Sequence, residues 1–202
     1  MLPSLYPIVD AANFSTSHAL CEFSRELVTG GATLIQYRNK KGSAREILSQ
    51  ARQLRTLCGD QTTLFMNDRA DLCLSAGFDG VHVGQDDLSP AAARIVVKEG
   101  KWVGVSNHNL QQAMEADTSS ADYIAIGPIF ATQSKESPDP IVGLDGLKQI
   151  RAATRKPLVA IGGITLANCR SVIDAGADSV AVISALLTSP AKTVEDFIRI
   201  LM

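Results

Sequence analysis

The chain has 202 residues, of which 46% are hydrophobic and 20% charged, enough apolar material to bury roughly 70% of the surface an unfolded chain exposes. Nineteen basic residues against 21 acidic give a net charge of -2, which offers a polyanion no general attraction and leaves nucleic acid out of the expected partners. No run approaches the ~18 uninterrupted apolar residues of a membrane span, and the opening stretch MLPSLYPIVD lacks the basic region and apolar core of a secretion signal, so a cytoplasmic setting is expected.

Short β-rich apolar runs alternate with longer helical patterns along the whole chain. Leu5 to Val9 reads as a strand and His18 to Val28 as a helix, and Thr33 to Tyr37 with Ala44 to Leu57 repeats the pair. Thr63 to Met66 precedes the short helical stretch Ala70 to Ala76, Gly80 to Val83 precedes Pro90 to Lys98, and Trp102 to Val105 precedes Leu110 to Ala116. The last three pairs are Tyr123 to Ile126 with Leu144 to Ala153, Leu158 to Ile161 with Leu166 to Asp174, and Ser179 to Ile183 with Val194 to Leu201. Gly31-Ala32, Gly77-Phe78 and Gly176-Ala177 mark helix ends just before a strand. Units of about 25 residues, with no linker or charge block between them, predict one α/β domain over residues 1–202, a compact parallel (β/α)8 TIM barrel. An open doubly wound sheet fits less well, because Asp10 to Ser17 has no Gly-x-Gly-x-x-Gly cradle for a dinucleotide. Cys21, Cys58, Cys73 and Cys169 form no Cys-x-x-Cys pair, so they read as reduced, mostly core thiols and not as zinc ligands or a redox pair.

In such a barrel the chemistry sits at the carboxyl ends of the strands, so the residues that close each apolar run are the informative ones. The runs end in Gln36-Tyr37-Arg38-Asn39-Lys40, Asn67-Asp68-Arg69, His82-Val83-Gly84-Gln85-Asp86-Asp87 and Ser106-Asn107-His108. The sixth leads through Gly127-Pro128 to Thr132-Gln133-Ser134-Lys135, the seventh ends in Gly162-Gly163 and the eighth in Ile183-Ser184. Arg38, Lys40 and Lys135 bring positive charge, and Asp68 and Asp87 bring hard oxygen ligands suited to Mg2+. Together they point to a diphosphate held through a metal. Gly162-Gly163 and Ile183-Ser184 stand where barrels commonly hold a phosphate on backbone N–H groups, which points to a second, metal-free phosphate site. His82 faces away from Val81 and Val83 by strand alternation, and reads equally as a substrate contact or as a satisfied interior histidine. His108 has loop context only and could cap the following helix; His18 is expected in solvent.

These motifs, in this order, resemble the thiamine-phosphate synthase family from Leu5 to about Leu187, together with Gly104-Val105-Ser106-Asn107-His108, Asp122-Tyr123, Gly127-Pro128-Ile129-Phe130 and Ala160-Ile161-Gly162-Gly163-Ile164. The resemblance implies a Mg2+-dependent transferase that joins a hydroxymethylpyrimidine diphosphate to a thiazole phosphate, giving thiamine phosphate and diphosphate. It implies that Gln36, Tyr37, Arg38, Asn39, Lys40, Asn67, Ser106 and Lys135 meet the pyrimidine substrate, with Arg38, Lys40 and Lys135 on its diphosphate as the catalytic cations. It assigns Asp68 and Asp87 to Mg2+, and Thr132, Gln133, Ser134, Gly163, Ile183 and Ser184 to the thiazole phosphate. The family analogy also has ionisation to a pyrimidine carbocation precede attack. Two motifs depart from the common pattern, Gln85-Asp86-Asp87 for Gln-Glu-Asp and Thr132-Gln133-Ser134-Lys135 for Thr-x-Thr-Lys; Asp87 is unchanged and Ser134 keeps the hydroxyl.

The expected chemistry needs no protein nucleophile, only stabilisation of charge on the departing diphosphate. The segment from Phe130 to Gly143 is expected to close over the substrates and bring Lys135 to the diphosphate. A thiazole tautomerase of the same fold would need an acid-base residue such as His108 but no diphosphate site. A non-catalytic phosphate-binding regulatory barrel would leave both aspartates idle.

Overall fold

The computed structural model describes residues 2–132 and 139–202. Strands β1 (Leu5–Asp10), β2 (Leu34–Arg38), β3 (Thr63–Asn67), β4 (Gly80–Val83), β5 (Trp102–Asn107), β6 (Tyr123–Ile126), β7 (Leu158–Ile161) and β8 (Ser179–Val182) pair in chain order, and β8 closes back on β1. Every pairing is parallel. The helices that alternate with them are α1 (Ser17–Thr29), α2 (Ala44–Cys58), α3 (Ala70–Ser75), α4 (Pro90–Val97), α5 (Leu110–Thr118), α6 (Gly143–Ala153), α7 (Cys169–Asp174) and α8 (Pro190–Leu201). This closed α/β barrel is the fold that the alternating pattern predicts.

The differences from the sequence-based expectation lie at element ends. Asp10, Arg38, Asn67, Ser106 and Asn107 lie within the carboxyl ends of their strands, not in loops. The ladder carries them, with Asp10 opposite Arg38, Asn67 opposite His82 and Ser106 opposite Ala125. Helix α7 starts at Cys169 and not at Leu166, because Asn168 folds its side chain back on the preceding loop, accepting from Thr165 N at 2.8 Å and donating to Gly163 O at 3.0 Å. Helix α8 starts four residues early at Pro190, whose fixed φ suits the first helical turn. Side chains of Thr16, Ser43, Ser89 and Asn109 cap α1, α2, α4 and α5, each satisfying a backbone donor that the helix leaves free.

Period-two alternation divides each strand between two cores. Outward residues such as Leu5, Val9, Ile35, Leu64 and Val81 pack against the helices. Tyr6, Ile8, Leu34, Phe65, Tyr123, Ala125, Val159 and Ala181 fill the barrel. Glycine makes two of the large rings fit: a Cβ on Gly104 would lie 2.0 Å from Tyr123 Cζ, and one on Gly80 would lie 2.9 Å from Phe65 Cε1.

At the amino end a repeated clamp holds the strands. Asp79, Asp122 and Asp178, each immediately before an even-numbered strand, accept at Oδ2 from Leu64 N (2.8 Å), Val103 N (2.6 Å) and Leu158 N (2.8 Å). Arg55, Arg94 and Arg151 pair with the same carboxylates. Each clamp gives a strand-end N–H a carboxylate partner at the edge of the barrel. This face carries stability, which leaves the opposite face to chemistry.

Candidate active site

The carboxyl ends of the strands open into a cavity of about 650 Å³, a size suited to small-molecule ligands. Its two sides differ. Gln36, Arg38 and Lys40 from β2 and its loop, Asn67 and Asp68 from β3 and its loop, His82 and Asp87 from β4 and its loop, and Ser106 from β5 make a polar side. Ile8, Ala125, Val159, Ile161, Ala181 and Ile183 make an apolar side, and Gly127, Pro128, Thr132, Gly162, Gly163 and Ser184 lie along its rim.

Strand geometry sorts the residues of the Gln36 to Lys40 motif. Gln36 and Arg38 point inward, and Lys40 reaches the rim from the loop. Tyr37 points the other way. It is fully buried, and its hydroxyl donates to Gln50 Oε1 on α2; burial pushes its pKa to about 12. Asn39 follows it outward, donating to Gln50 Oε1 at 3.1 Å and accepting from Gly42 N at 2.8 Å. Neither Tyr37 nor Asn39, both expected at the pyrimidine, lines the cavity with its side chain: both side chains anchor the β2 loop to α2.

Arg38 forms an ion pair with Asp10, a buried residue at the end of β1. Asp10 also accepts from Ala12 N at 3.1 Å, so its carboxylate is held in place and in turn aims the guanidinium. Asp10 is not among the residues expected from the motifs, although its place at the end of a strand is the signal that picks out the others.

Asp68 leaves β3 in the left-handed region, φ 60°, a conformation that aspartate tolerates better than most residues. Its N–H donates to His82 O at 2.7 Å, and the turn brings its carboxyl group beside that of Asp87. Lys40 pairs with Asp68. Burial first, then the Asp87 carboxyl, raises the Asp68 pKa above the usual carboxylate range, while Lys40 opposes the rise. Asp87 accepts from Gly84 N at 2.9 Å, and a Cβ on Gly84 would lie 2.8 Å from the same oxygen, so the glycine leaves room for the carboxylate. Two carboxyl groups held together on the rim form a donor set of hard oxygens that fits Mg2+, which commonly takes one or two carboxylates and fills its shell with water and phosphate. Among the described residues no cluster of three or more His, Cys, Asp or Glu side chains is placed to hold a metal.

Gly162 and Gly163 have φ angles of 102° and 64°. A Cβ on Gly163 would come within 2.5 Å of Ala131 O, and one on Gly162 within 2.6 Å of Pro128 Cβ. Both glycines are thus required by the turn itself and by its packing on the loop after β6, at the same rim as Ser184, Ile183 and Thr132. Gln133, Ser134 and Lys135 lie outside the described residues, as do six of the fourteen residues of the segment expected to close.

His82 has both ring nitrogens engaged, Nδ1 with Tyr123 Oη at 2.9 Å and Nε2 with Ser106 Oγ at 2.8 Å. Burial lowers its pKa to about 4, so the imidazole is neutral. His108 lines the cavity with Nδ1 2.7 Å from Gly127 O; Asn109, not His108, caps α5. Gln85 also lines the cavity, donating to Ser106 O at 2.6 Å. Tyr6 lies in the floor, and nothing in the spacing of the motifs points to it.

Comparison with known proteins gives the family. The family model described as thiamine monophosphate synthase matches residues 5–186. A thiamine-phosphate synthase from Koribacter versatilis is 60% identical over 203 residues, covering 99% of this chain and 96% of that protein. One from Chloroflexus aurantiacus is 44% identical, covering 92% of this chain and 85% of that protein. Among solved structures, a thiamine phosphate pyrophosphorylase from Pyrococcus furiosus superposes with a TM-score of 0.87 at 33% identity, covering 98% of this chain and 95% of that one. The chain belongs to the thiamine monophosphate synthase family.

Proposed function

We propose that this chain is a thiamine-phosphate synthase, a transferase that condenses an aminopyrimidine diphosphate with a thiazole phosphate. One observation carries the reading: Arg38, Lys40, Asp68 and Asp87 converge on the polar side of a cavity whose other side is apolar. A diphosphate needs the first set, and a methylated thiazole ring suits the second.

In the reaction the thiazole ring nitrogen, unprotonated at neutral pH, forms a bond to the pyrimidine CH2. The C–O bond to the diphosphate breaks, and the electron pair leaves with the diphosphate. The protein therefore supplies no nucleophile. Arg38, aimed by Asp10, and Lys40, from the rim, place positive charge where the leaving group gains negative charge, and such preorganised donors each account for roughly 10² to 10³ in rate. Lys135 joins them in this proposal on its sequence motif alone. Asp68 and Asp87 would hold Mg2+, which when bound neutralises charge on the diphosphate oxygens. Asn67 and Ser106 offer hydrogen bonds to the pyrimidine, and Gln36 faces it from β2. The Gly162-Gly163 turn, Ile183, Ser184 and Thr132 surround the place proposed for the thiazole phosphate, with Gln133 and Ser134 assigned from the sequence. The ligands are small molecules, and no helix among the described residues is long and apolar enough to cross a membrane; a cytoplasmic setting is part of the proposal.

Calorimetric titration tests the two-site arrangement. The pyrimidine diphosphate should bind with Mg2+ present and lose at least about tenfold in affinity on chelation, by loss of the metal contribution, while the thiazole phosphate should bind equally well in both conditions. Equal metal dependence of the two ligands would contradict the assignment of Asp68 and Asp87 to the diphosphate side.

A further inference from the structure

Gln36 and Ser106 face the cavity from β2 and β5 and are joined across its floor by an unbroken line of hydrogen bonds. Gln36 Nε2 donates to Tyr6 Oη at 2.8 Å, and Tyr6 Oη lies 2.9 Å from Tyr123 Oη. Tyr123 Oη lies 2.9 Å from His82 Nδ1, and His82 Nε2 lies 2.8 Å from Ser106 Oγ. Five strands contribute one residue each. Tyr123 is completely buried and Tyr6 nearly so. The space is built for this arrangement, since a Cβ on Gly104 would lie 2.4 Å from Tyr123 Oη.

Each hydroxyl in the line has one proton to give. Because the Gln36 amide nitrogen donates to Tyr6, the Tyr6 proton goes to Tyr123 and the Tyr123 proton goes to His82 Nδ1. With Nδ1 accepting from Tyr123, the ring N–H lies on Nε2 and is given to Ser106 Oγ, which leaves the Ser106 proton to face the cavity. At the other end no hydrogen bond among the described residues reaches Gln36 Oε1, so the cavity meets an acceptor there.

We propose that this line sets the hydrogen-bond polarity of the cavity, an acceptor at Gln36 and a donor at Ser106, and thereby selects a 4-aminopyrimidine over its 4-oxo counterpart, with Tyr6, Tyr123 and His82 as positioning residues. The inference rests on the synthase reading and adds the source of its pyrimidine specificity. An aminopyrimidine presents an exocyclic N–H donor and an unprotonated ring nitrogen. Its oxo counterpart presents a carbonyl acceptor and a ring N–H, the opposite pattern. Matching the oxo compound requires the whole line to reverse: the Gln36 amide turns over, three hydroxyl protons change partner and His82 changes tautomer. Buried polar groups left mismatched are what give such sites their discrimination.

The test measures dissociation constants of the aminopyrimidine diphosphate and its 4-oxo analogue for the full-length chain with Mg2+. The wild type is compared with Tyr123→Phe and with Tyr6→Phe, two substitutions that keep the ring and remove one link. The wild type should prefer the amino compound by at least about 100-fold. Each variant should narrow that preference about tenfold or more, with thiazole phosphate binding unchanged. A wild type without preference, a preference unchanged in folded variants, or equal weakening of both pyrimidines down to no binding of either would overturn the inference. A wild type that binds neither pyrimidine would instead overturn the synthase reading on which it rests.

Discussion

Backbone direction decides, residue by residue, which polar groups reach the cavity. At Asp68 the left-handed φ of 60° turns the carboxyl group toward Asp87, and asparagine tolerates the same conformation, so charge can be removed there without disturbing the turn. Asp68→Asn and Asp87→Asn are each expected to lower Mg2+-dependent turnover about 100-fold or more with an unchanged urea midpoint; near-normal activity in both variants would contradict the metal assignment. Tyr37 gives the opposite expectation. With its hydroxyl buried against Gln50, Tyr37→Phe should cost about 1 kcal/mol of stability and leave the KM for the pyrimidine diphosphate unchanged. A several-fold rise in that KM with no loss of stability would return Tyr37 to the substrate. The alternation that places Gln36 and Arg38 inside and Tyr37 outside was legible in the sequence, since the same period turns His82 away from Val81 and Val83. What obscured it was a motif read as one continuous contact surface.

Among the elements, the strands and helices were legible because their apolar runs are short, evenly spaced and punctuated by glycine. Their ends were not, because Asp10, Arg38, Asn67 and Ser106 are polar residues that the ladder carries into the barrel, and polarity alone reads as loop. The clamps at the amino end escaped notice for a related reason: Asp79, Asp122 and Asp178 acquire meaning only once an arginine from a helix and an N–H from the neighbouring strand converge on each of them. Asp122→Ala should leave Val103 N and Arg94 without this partner and destabilise the fold by about 2 kcal/mol, measured by urea denaturation, with kcat unaltered. A fall in kcat without a change in stability would contradict the separation of the two ends of the barrel. The Gly162-Gly163 turn belongs to this scale as well. Gly163→Val combines a strained φ with a clash against Ala131 O, so it should displace the turn and weaken thiazole phosphate binding more than pyrimidine diphosphate binding in calorimetric titration. Equal losses for both ligands would count against a separate phosphate place at that turn.

Across the whole molecule, one closed sheet presents two unlike walls to one cavity. Arg38, Lys40, Asp68 and Asp87 stand on the side built from β2, β3 and β4, while Ile8, Val159, Ile161 and Ala181 line the side built from β1, β7 and β8. The closed barrel and the charged residues of its rim were visible in the order of motifs along the chain. The hydrogen-bonded line from Gln36 to Ser106 was not, because its members lie on five strands and their spacing in sequence has no period. The central claim, that these walls bring a diphosphate-bearing pyrimidine and a thiazole phosphate together for transfer, is tested most directly by turnover of the purified chain. With both substrates and Mg2+, thiamine phosphate and diphosphate should appear in equal amounts, and omission of either substrate or of the metal should abolish both. Diphosphate release without thiamine phosphate, or no product with all components present, would contradict the account.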